Sequence, residues 1–496
     1  MNSFVLLSTF RIFAKITQTL MKKFYTLLIL LAAAVSLHAA DYYVSPQGSD
    51  DNTGTIDAPF ATLKKAIGKA VAGTTIYLRE GTYKPTEAEI MGYQESNLYA
   101  CVYNLTASGT AQKPITITGY EDEKAVIDLS LVKPAEKRVS GFYVKGNYWR
   151  LKKFEIIGIQ VTITSHTQSE NISMRGGSNC IIEQVNIHDG MGIGVYFTRG
   201  SNNLVLNCDA YNNYDPVSEN GAGGNCDGFG FHLNSSAHAN NVIRGCRAWR
   251  NSDDGFDLIS NYAAVTVDSC WAWENGYDAN MVSRGDGTGI KGGGYGMSTI
   301  TKTVVAPRNV IKNCIAWKNK QNGIYANHHL GGNDWYNNSA YANKRNYNMV
   351  NRKSVSEAVD VDGYDHVLKN NLSYGGTTAN YVNISQTLCT LENNTFLPTV
   401  TLTNSDFESL DGTQLKAPRQ ADGSLPEITF LKLKPTSKAY TMNIGYQFDY
   451  ETVASGIKSV RVADSQDAVY TLEGFRVEHP TAKGIYIRGG KKFVID

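Results

Sequence analysis

Short apolar runs of a few residues recur through the middle of this chain, and each gives way to a polar turn. Val242-Ile243 and Val265-Thr266-Val267 open two such units, and nothing in them keeps the spacing of a helix. The units align on Cys208-Asp209-Ala210-Tyr211-Asn212-Asn213, Cys246-Arg247-Ala248-Trp249-Arg250-Asn251 and Cys270-Trp271-Ala272-Trp273-Glu274-Asn275. Cys314-Ile315-Ala316-Trp317-Lys318-Asn319 and Asn338-Ser339-Ala340-Tyr341-Ala342-Asn343 continue the series, and Asn371-Leu372-Ser373-Tyr374 is a degenerate copy. A pattern repeated at about two dozen residues indicates a solenoid. With two or three short strands per turn, it predicts an all-β parallel β-helix whose coils lie ~4.8 Å apart, so equivalent residues stack in columns.

Asn213, Asn251, Asn275, Asn319 and Asn343 then form a ladder, in which asparagine is expected to accept left-handed turn geometry and bond to the coils on either side. Cys208, Cys246, Cys270 and Cys314 form an interior column of free thiols, because stacked parallel side chains are poorly placed for bridging. Cys101, Cys180, Cys226 and Cys389 stay open between thiol and disulfide. Trp249, Trp273 and Trp317 recur at one position in every coil and read as a structural stack.

Each coil also carries a Gly-Phe or Gly-Ile step: Gly228-Phe229, Gly255-Phe256, Gly289-Ile290 and Gly323-Ile324. Strand alternation turns Phe229, Phe256, Ile290 and Ile324 inward and sets Gly230, Asp257, Lys291 and Tyr325 in an outward column. Asp227 and Asp254 share the turn column beside it, with Asp253 adjacent. Ser252-Asp253-Asp254-Gly255 is a turn signal in its own right. The register with Asp227 and Lys291 makes it the centre of a three-coil site. Carboxylates crowded this closely raise one another's pKa unless a cation lies among them, and oxygen-only ligation favours Ca²⁺ over zinc. Insertions at Tyr214 to Cys226, Gly276 to Gly287 and Gly292 to Pro307 flank the acidic coil and are expected to wall a groove. His232 and Asn327 share an outward column and, with Tyr325, are candidates for substrate contact. His328 and His329 read as loop residues.

A solenoid needs its end covered, and the amphipathic stretch Leu63 to Val71 is the expected N-terminal cap helix. Regularity fades after Asn394, and residues 455–496 form a separate small β tail, a sorting or attachment module. Lys22-Lys23, the apolar run from Leu27 to Val35 and the small residues before Asp41 mark residues 1–40 as an export signal, with Met21 the true start. The mature protein, a lyase-type domain over 41–450 plus the tail, is then secreted or periplasmic. A net charge of +1 gives no field that would recruit nucleic acid or an acidic membrane.

The run from Asp227 through Lys291 resembles polysaccharide lyase family 9, as do Tyr42-Tyr43-Val44-Ser45 and Asp422-Gly423-Ser424-Leu425-Pro426. The resemblance implies a right-handed parallel β-helix acting as a monomer on an acidic plant cell-wall polysaccharide. Asp227, Asp253, Asp254 and Asp257 would ligate Ca²⁺, and Lys291 would be the Brønsted base. The implied reaction is β-elimination in a pectin backbone, either homogalacturonan or rhamnogalacturonan I. The chain departs from the family's pattern at His232, where lysine is common, and at Gly292, where a larger apolar residue follows the base. The rival readings are a β-helix hydrolase with paired aspartates, which leaves Lys291 idle, and a non-catalytic carbohydrate-binding solenoid.

Overall fold

The computed structural model describes residues 40–294, 306–396 and 400–448, together with the strands Val469–Thr471, Arg476–Val477, Gly484–Arg488 and Lys491–Ile495. The expected export signal, up to residue 39, and residues 295–305 of the third insertion lie outside this set. No helix among the described residues is long and apolar enough to cross a membrane.

Each coil contributes three short strands, one to each face of a parallel β-helix. Leu204–Leu206, Asn241–Arg244, Val265–Asp268, Val310–Lys312 and Asp334–Tyr336 build one face by in-register parallel pairing. Asp209–Tyr211, Arg247–Trp249, Trp271–Trp273, Ile315–Trp317, Ser339–Tyr341 and Leu372–Tyr374 build the second. The third, hereafter the site face, runs through Ile193–Arg199, Phe229–Phe231, Phe256–Asp257, Ile290–Lys291 and Asn322–Tyr325 to Arg345–Asn348. Phe229, Phe256, Ile290 and Ile324 are fully buried, as strand alternation requires.

The asparagine ladder is continuous. Asn213, Asn251, Asn275 and Asn319 each donate from Nδ2 to the Oδ1 of the next, at 3.0, 3.2, 3.0 and 2.9 Å, ending on Asn343. Left-handed geometry belongs to the residue before each rung: Asn212, Arg250, Glu274, Lys318 and Ala342 have φ of 50–56°. That inversion turns the following asparagine inward, where a hydrogen-bonding side chain is needed to satisfy buried backbone groups. Cys208, Cys246, Cys270 and Cys314 stack inside as free, fully buried thiols, and Asn338, Asn371 and Asn394 continue their column as a second ladder. Cys101, Cys180, Cys226 and Cys389 are also free.

The cap helix is shorter than the apolar spacing suggests, spanning Leu63–Ile67. Thr62 caps it by accepting from the Lys65 amide at 3.2 Å. Beyond Ile67 the amides of Lys69 and Ala70 bond three residues back, so the spiral tightens and stops before Val71. Leu63, Ala66 and Ile67 join the main core. Near the other terminus, Val469–Thr471, Arg476–Val477, Gly484–Arg488 and Lys491–Ile495 pair antiparallel, unlike the coils.

Residues 400–448 fold back along the second face. The outward rings there stack coil on coil: Tyr211 lies 4.1 Å from Trp249, and Trp249 lies 4.6 Å from Trp273, with the ring planes nearly parallel. Such surface would be too apolar to leave open. Phe407, Leu415, Leu425 and Phe430 of the returning segment cover it. The segment descends the solenoid, bonding Arg247 through the Leu415 and Ala417 carbonyls, Asp209 through Arg419 and Gln184 through the Asp422 carbonyl. It then climbs back to Asn313 and Asn337.

Candidate active site

The site face delivers the outward column at the expected register. Gly230, Asp257, Lys291 and Tyr325 are partners in four successive coils. Asp254 lies one coil above Asp227 in the turn before the strand, and its backbone amide donates to Asp227 Oδ1 at 3.1 Å. Oxygens of Asp227, Asp254 and Asp257 all lie within 4.8 Å of one another. Lys291 Nζ approaches Asp254 Oδ2 at 2.5 Å and donates to Asp257 Oδ2 at 3.1 Å. Asp254 itself is fully buried.

Asp253 stands at the edge of this group. Its Oδ1 accepts from the Asp286 amide at 3.0 Å, and it is outside the three-carboxylate cluster. The second oxygens of the others are held as well: the Thr288 amide donates to Asp254 Oδ1 at 2.6 Å, and Ile259 to Asp257 Oδ1 at 2.8 Å. These backbone donors fix the carboxylates without neutralising them.

The insertions account for the burial of the site. Arg284, in the 276–287 loop, stacks 4.4 Å from the Tyr214 ring, joining that loop to the 214–226 loop. Ser252 Oγ donates to the Gly223 carbonyl at 2.8 Å, and Lys320 Nζ donates to the carbonyls of Arg284 and Gly285. The loops thereby close against the turn side of the acidic coil, and Asp227, Asp253, Asp254, Asp257 and Lys291 are all buried. Gly292 is small because Trp335 fills the space behind it: a Cβ there would lie 2.4 Å from the indole ring.

Four carboxylates facing one ammonium leave a strong excess of negative charge. Burial first, and then the charges of Asp253, Asp257 and Asp254, hold Asp227 well above the carboxylate range. Burial and the Asp254 charge push Asp253 up to about 8. Burial raises Asp257 to about 6, with Lys291 pulling the other way. Burial works to lower the Lys291 pKa, but the surrounding aspartates outweigh it and hold the ammonium well above its ordinary range. A hard cation with oxygen ligands fits this donor set: several clustered, buried carboxylate oxygens with no sulfur or imidazole among them.

The remaining candidates lie on coils of the site face to either side of the cluster. Tyr325 is the register partner of Lys291 and is half-buried. Asn327 donates to the Gly293 carbonyl at 3.0 Å. His232 lies on the opposite side of the cluster, in the coil of Asp227, with Nδ1 at 3.1 Å from the Tyr196 hydroxyl. Asn327 and His232 are thus three coils apart and do not meet. Sequence reasoning overlooked Tyr196, although aligning Gly194-Val195 on Gly228-Phe229 would have placed it directly beside Gly230. His329 is buried, with Nε2 against the Pro307 carbonyl at 2.6 Å, which fits a structural loop residue.

The family described as "Pel9A-like, right handed beta helix region" matches residues 42–377. Pectate lyase L of Dickeya chrysanthemi is 32% identical over 405 residues, covering 80% of this chain and 84% of that protein. The solved structure of a rhamnogalacturonan lyase superposes with a TM-score of 0.78 at 43% identity, covering 82% of this chain and 99% of the other. That of pectate lyase Pel9A gives 0.62 at 29% identity, covering 81% and 92%. By its matched span and these relatives, the chain belongs to the Pel9A-like right-handed β-helix family and is a polysaccharide lyase.

Proposed function

We propose that this protein is an exported, Ca²⁺-dependent lyase that cleaves the galacturonate-containing backbone of pectin by β-elimination. The observation that carries the reading is the buried Lys291 ammonium held against Asp254 and Asp257 in a cluster with too few positive charges. Asp227, Asp254 and Asp257, with Asp253 at the edge, would hold the cation. When bound, it supplies positive charge that offsets the aspartates and stabilises negative charge building on the uronate carboxylate.

Lys291 acts as the base. With the aspartate charges offset, burial is left to favour its neutral amine. Nζ takes the C5 proton of the uronate, the C5–H electron pair becomes the C4=C5 double bond, and the C4–O bond breaks. The leaving oxygen collects a proton from solvent, and the product carries a 4,5-unsaturated uronate. Asp254 and Asp257 then hold the new ammonium in place. Tyr325, Asn327 and His232 line the groove on either side and contact the polymer. The domain of residues 41–450 carries this chemistry as a monomer, the export signal is removed, and the antiparallel tail is a separate sorting or attachment module. Support for the substrate class comes from relatives named as pectate and rhamnogalacturonan lyases.

The test is an ultraviolet assay for unsaturated uronate on homogalacturonan and on rhamnogalacturonan I, with and without chelator. Absorbance should grow on at least one polymer and stop on chelation. Chain shortening without absorbance would point to hydrolysis and overturn the reading.

A further inference from the structure

Lys291 ends a strand of only two residues, Ile290–Lys291, and the chain then leaves the site face through Gly292-Gly293-Gly294. The peptide that joins Lys291 to Gly292 is paired on both sides. The Lys291 carbonyl accepts from the Leu258 amide at 2.9 Å, and the Gly292 amide donates to the Tyr325 carbonyl at 2.7 Å. The next carbonyl, that of Gly292, meets two side-chain amides from the interior. Asn309 Nδ2 donates to it at 2.9 Å and Asn333 Nδ2 at 2.7 Å. Both asparagines are fully buried.

They belong to a third ladder, at the turn that opens the first face. Asn203, Asn241, Val265, Asn309, Asn333 and His366 follow one another there coil by coil. The backbone amides of Asn203, Val265 and Asn309 each donate to the Oδ1 of the next rung, and that of Asn333 donates to His366 Nδ1 at 2.9 Å. Upstream, among the described residues, a single ladder side chain meets each glycine carbonyl just past a site-face strand. Asn203 donates to the Gly177 carbonyl and Asn241 to the Gly200 carbonyl, both at 3.0 Å. Gly292 receives two, in the coil where an insertion sets it 17 residues from Asn309. His366 also accepts from Trp335 Nε1 at 3.2 Å, and the Trp335 ring fills the space behind Gly292. Accepting from both donors places the imidazole proton on Nε2, and burial keeps the ring neutral. One buried ring thus holds the two residues, Asn333 and Trp335, that grip Gly292 from within.

We infer that Asn309 and Asn333 are positioning residues for the reaction: they fix Lys291 by its backbone from inside the solenoid and so set where Nζ reaches. The inference rests on the proposed reading of Lys291 as the base. Asp254 and Asp257 touch Nζ, but they are also the proposed cation ligands, so they do not by themselves fix its aim at the C5 proton. Proton transfer needs the two heavy atoms within about 3 Å, and a misplacement of ~1 Å can cost about 10²-fold in rate.

The experiment measures kcat, KM and the calcium concentration for half-maximal activity on rhamnogalacturonan I and homogalacturonan, with a thermal melt of each protein. The full chain is compared as wild type, Asn333→Leu, Asn309→Leu and Asn338→Leu. Leucine keeps the branched shape of asparagine without its hydrogen-bonding groups. Asn338 is the control: it is equally buried, donates to the Ile311 carbonyl at 2.9 Å and accepts from the Cys314 amide at 3.0 Å, in a ladder that does not touch Gly292. All three variants orphan buried backbone groups, so all three should melt lower than wild type. Asn333→Leu and Asn309→Leu should lose about 10- to 100-fold in kcat, with KM and the calcium midpoint within twofold. Asn338→Leu should keep kcat within twofold. If Asn333→Leu fails to fold, Asn309→Leu, which leaves Asn333 in place, reads the same effect. An unchanged kcat in the site variants, or an equal fall in Asn338→Leu, would overturn the inference while leaving the lyase reading intact. A calcium midpoint that moves by the same factor as kcat would also overturn it, because the effect would then run through the aspartates. Absence of unsaturated product from wild type on both polymers would instead remove the reading beneath it.

Discussion

The proposed function gives Lys291 two separable duties, and substituting it tests both. As a counter-ion it touches the fully buried Asp254 at 2.5 Å and Asp257 at 3.1 Å, while being only 8% exposed itself. Removing one partner of a buried pair costs about 3–5 kcal/mol. In a chain of this size, whose unfolding entropy is about 1 kcal/mol per degree, that corresponds to a fall in melting temperature of roughly 3–5 °C for Lys291→Met in chelator. Saturating Ca²⁺ restores the missing charge, so its stabilising shift should be larger in Lys291→Met than in wild type; a ligand at 100 times its Kd contributes about 2.7 kcal/mol. As a base, Lys291 must lose a proton, which arginine cannot do at any working pH. Lys291→Arg should therefore keep most of the melting temperature yet lose elimination on the order of 10²- to 10⁴-fold. Thermal melts with calcium or chelator, paired with the ultraviolet assay, read both effects. Activity of Lys291→Arg within a few-fold of wild type would refute the base assignment. A Lys291→Met protein that melts no lower than wild type in chelator would refute the counter-ion assignment.

The cation-free site should also show a particular pH dependence. Asp257 at about 6 and Asp253 at about 8 lie above the 3.8 of an unfolded aspartate, so the folded chain binds more protons than the unfolded one between those values. Stability in chelator should then fall as pH rises from about 4 toward 8, with calcium flattening the slope, and melts that rise with pH across this window would contradict it. In the ladder, Asn275→Ala removes the donor to the Ala248 carbonyl and the acceptor for the Asn251 amide, both buried. At about 1–3 kcal/mol for each orphaned group, denaturant unfolding should show a loss of roughly 2–6 kcal/mol with KM unchanged.

Much of this architecture was legible because a β-helix converts sequence period into spatial register. The Gly-Phe and Gly-Ile steps locate strand starts, alternation assigns the faces, and Asp227, Asp254, Asp257 and Lys291 fall together without further information. Asp253 escaped that logic because a turn residue's direction depends on its local backbone, here on the Asp286 amide from an insertion. The left-handed residue was misplaced by one position since asparagine fits both roles, and only the side chain's buried partners decide between them. Residues 400–448 were opaque for another reason. Phe407, Leu415, Leu425 and Phe430 follow no period, and their partners are set by the shape of the surface they cover. Tyr196 lay in a weaker copy of the repeat, where the flanking pattern had already blurred.

That returning segment changes how the molecule should come apart. A bare solenoid is a row of nearest-neighbour contacts, so it can fray from either end one repeat at a time. Here Asp422 reaches Gln184 across 238 residues of sequence, and Gln447 reaches Asn313 across 134. Loosening a middle coil therefore strains a fastening that spans its neighbours, and several coils must release together. The acidic coil lies within the fastened stretch, so the carboxylate cluster is guarded by a seam on another face, which holds its coil at Arg247 and Glu274 without touching the aspartates.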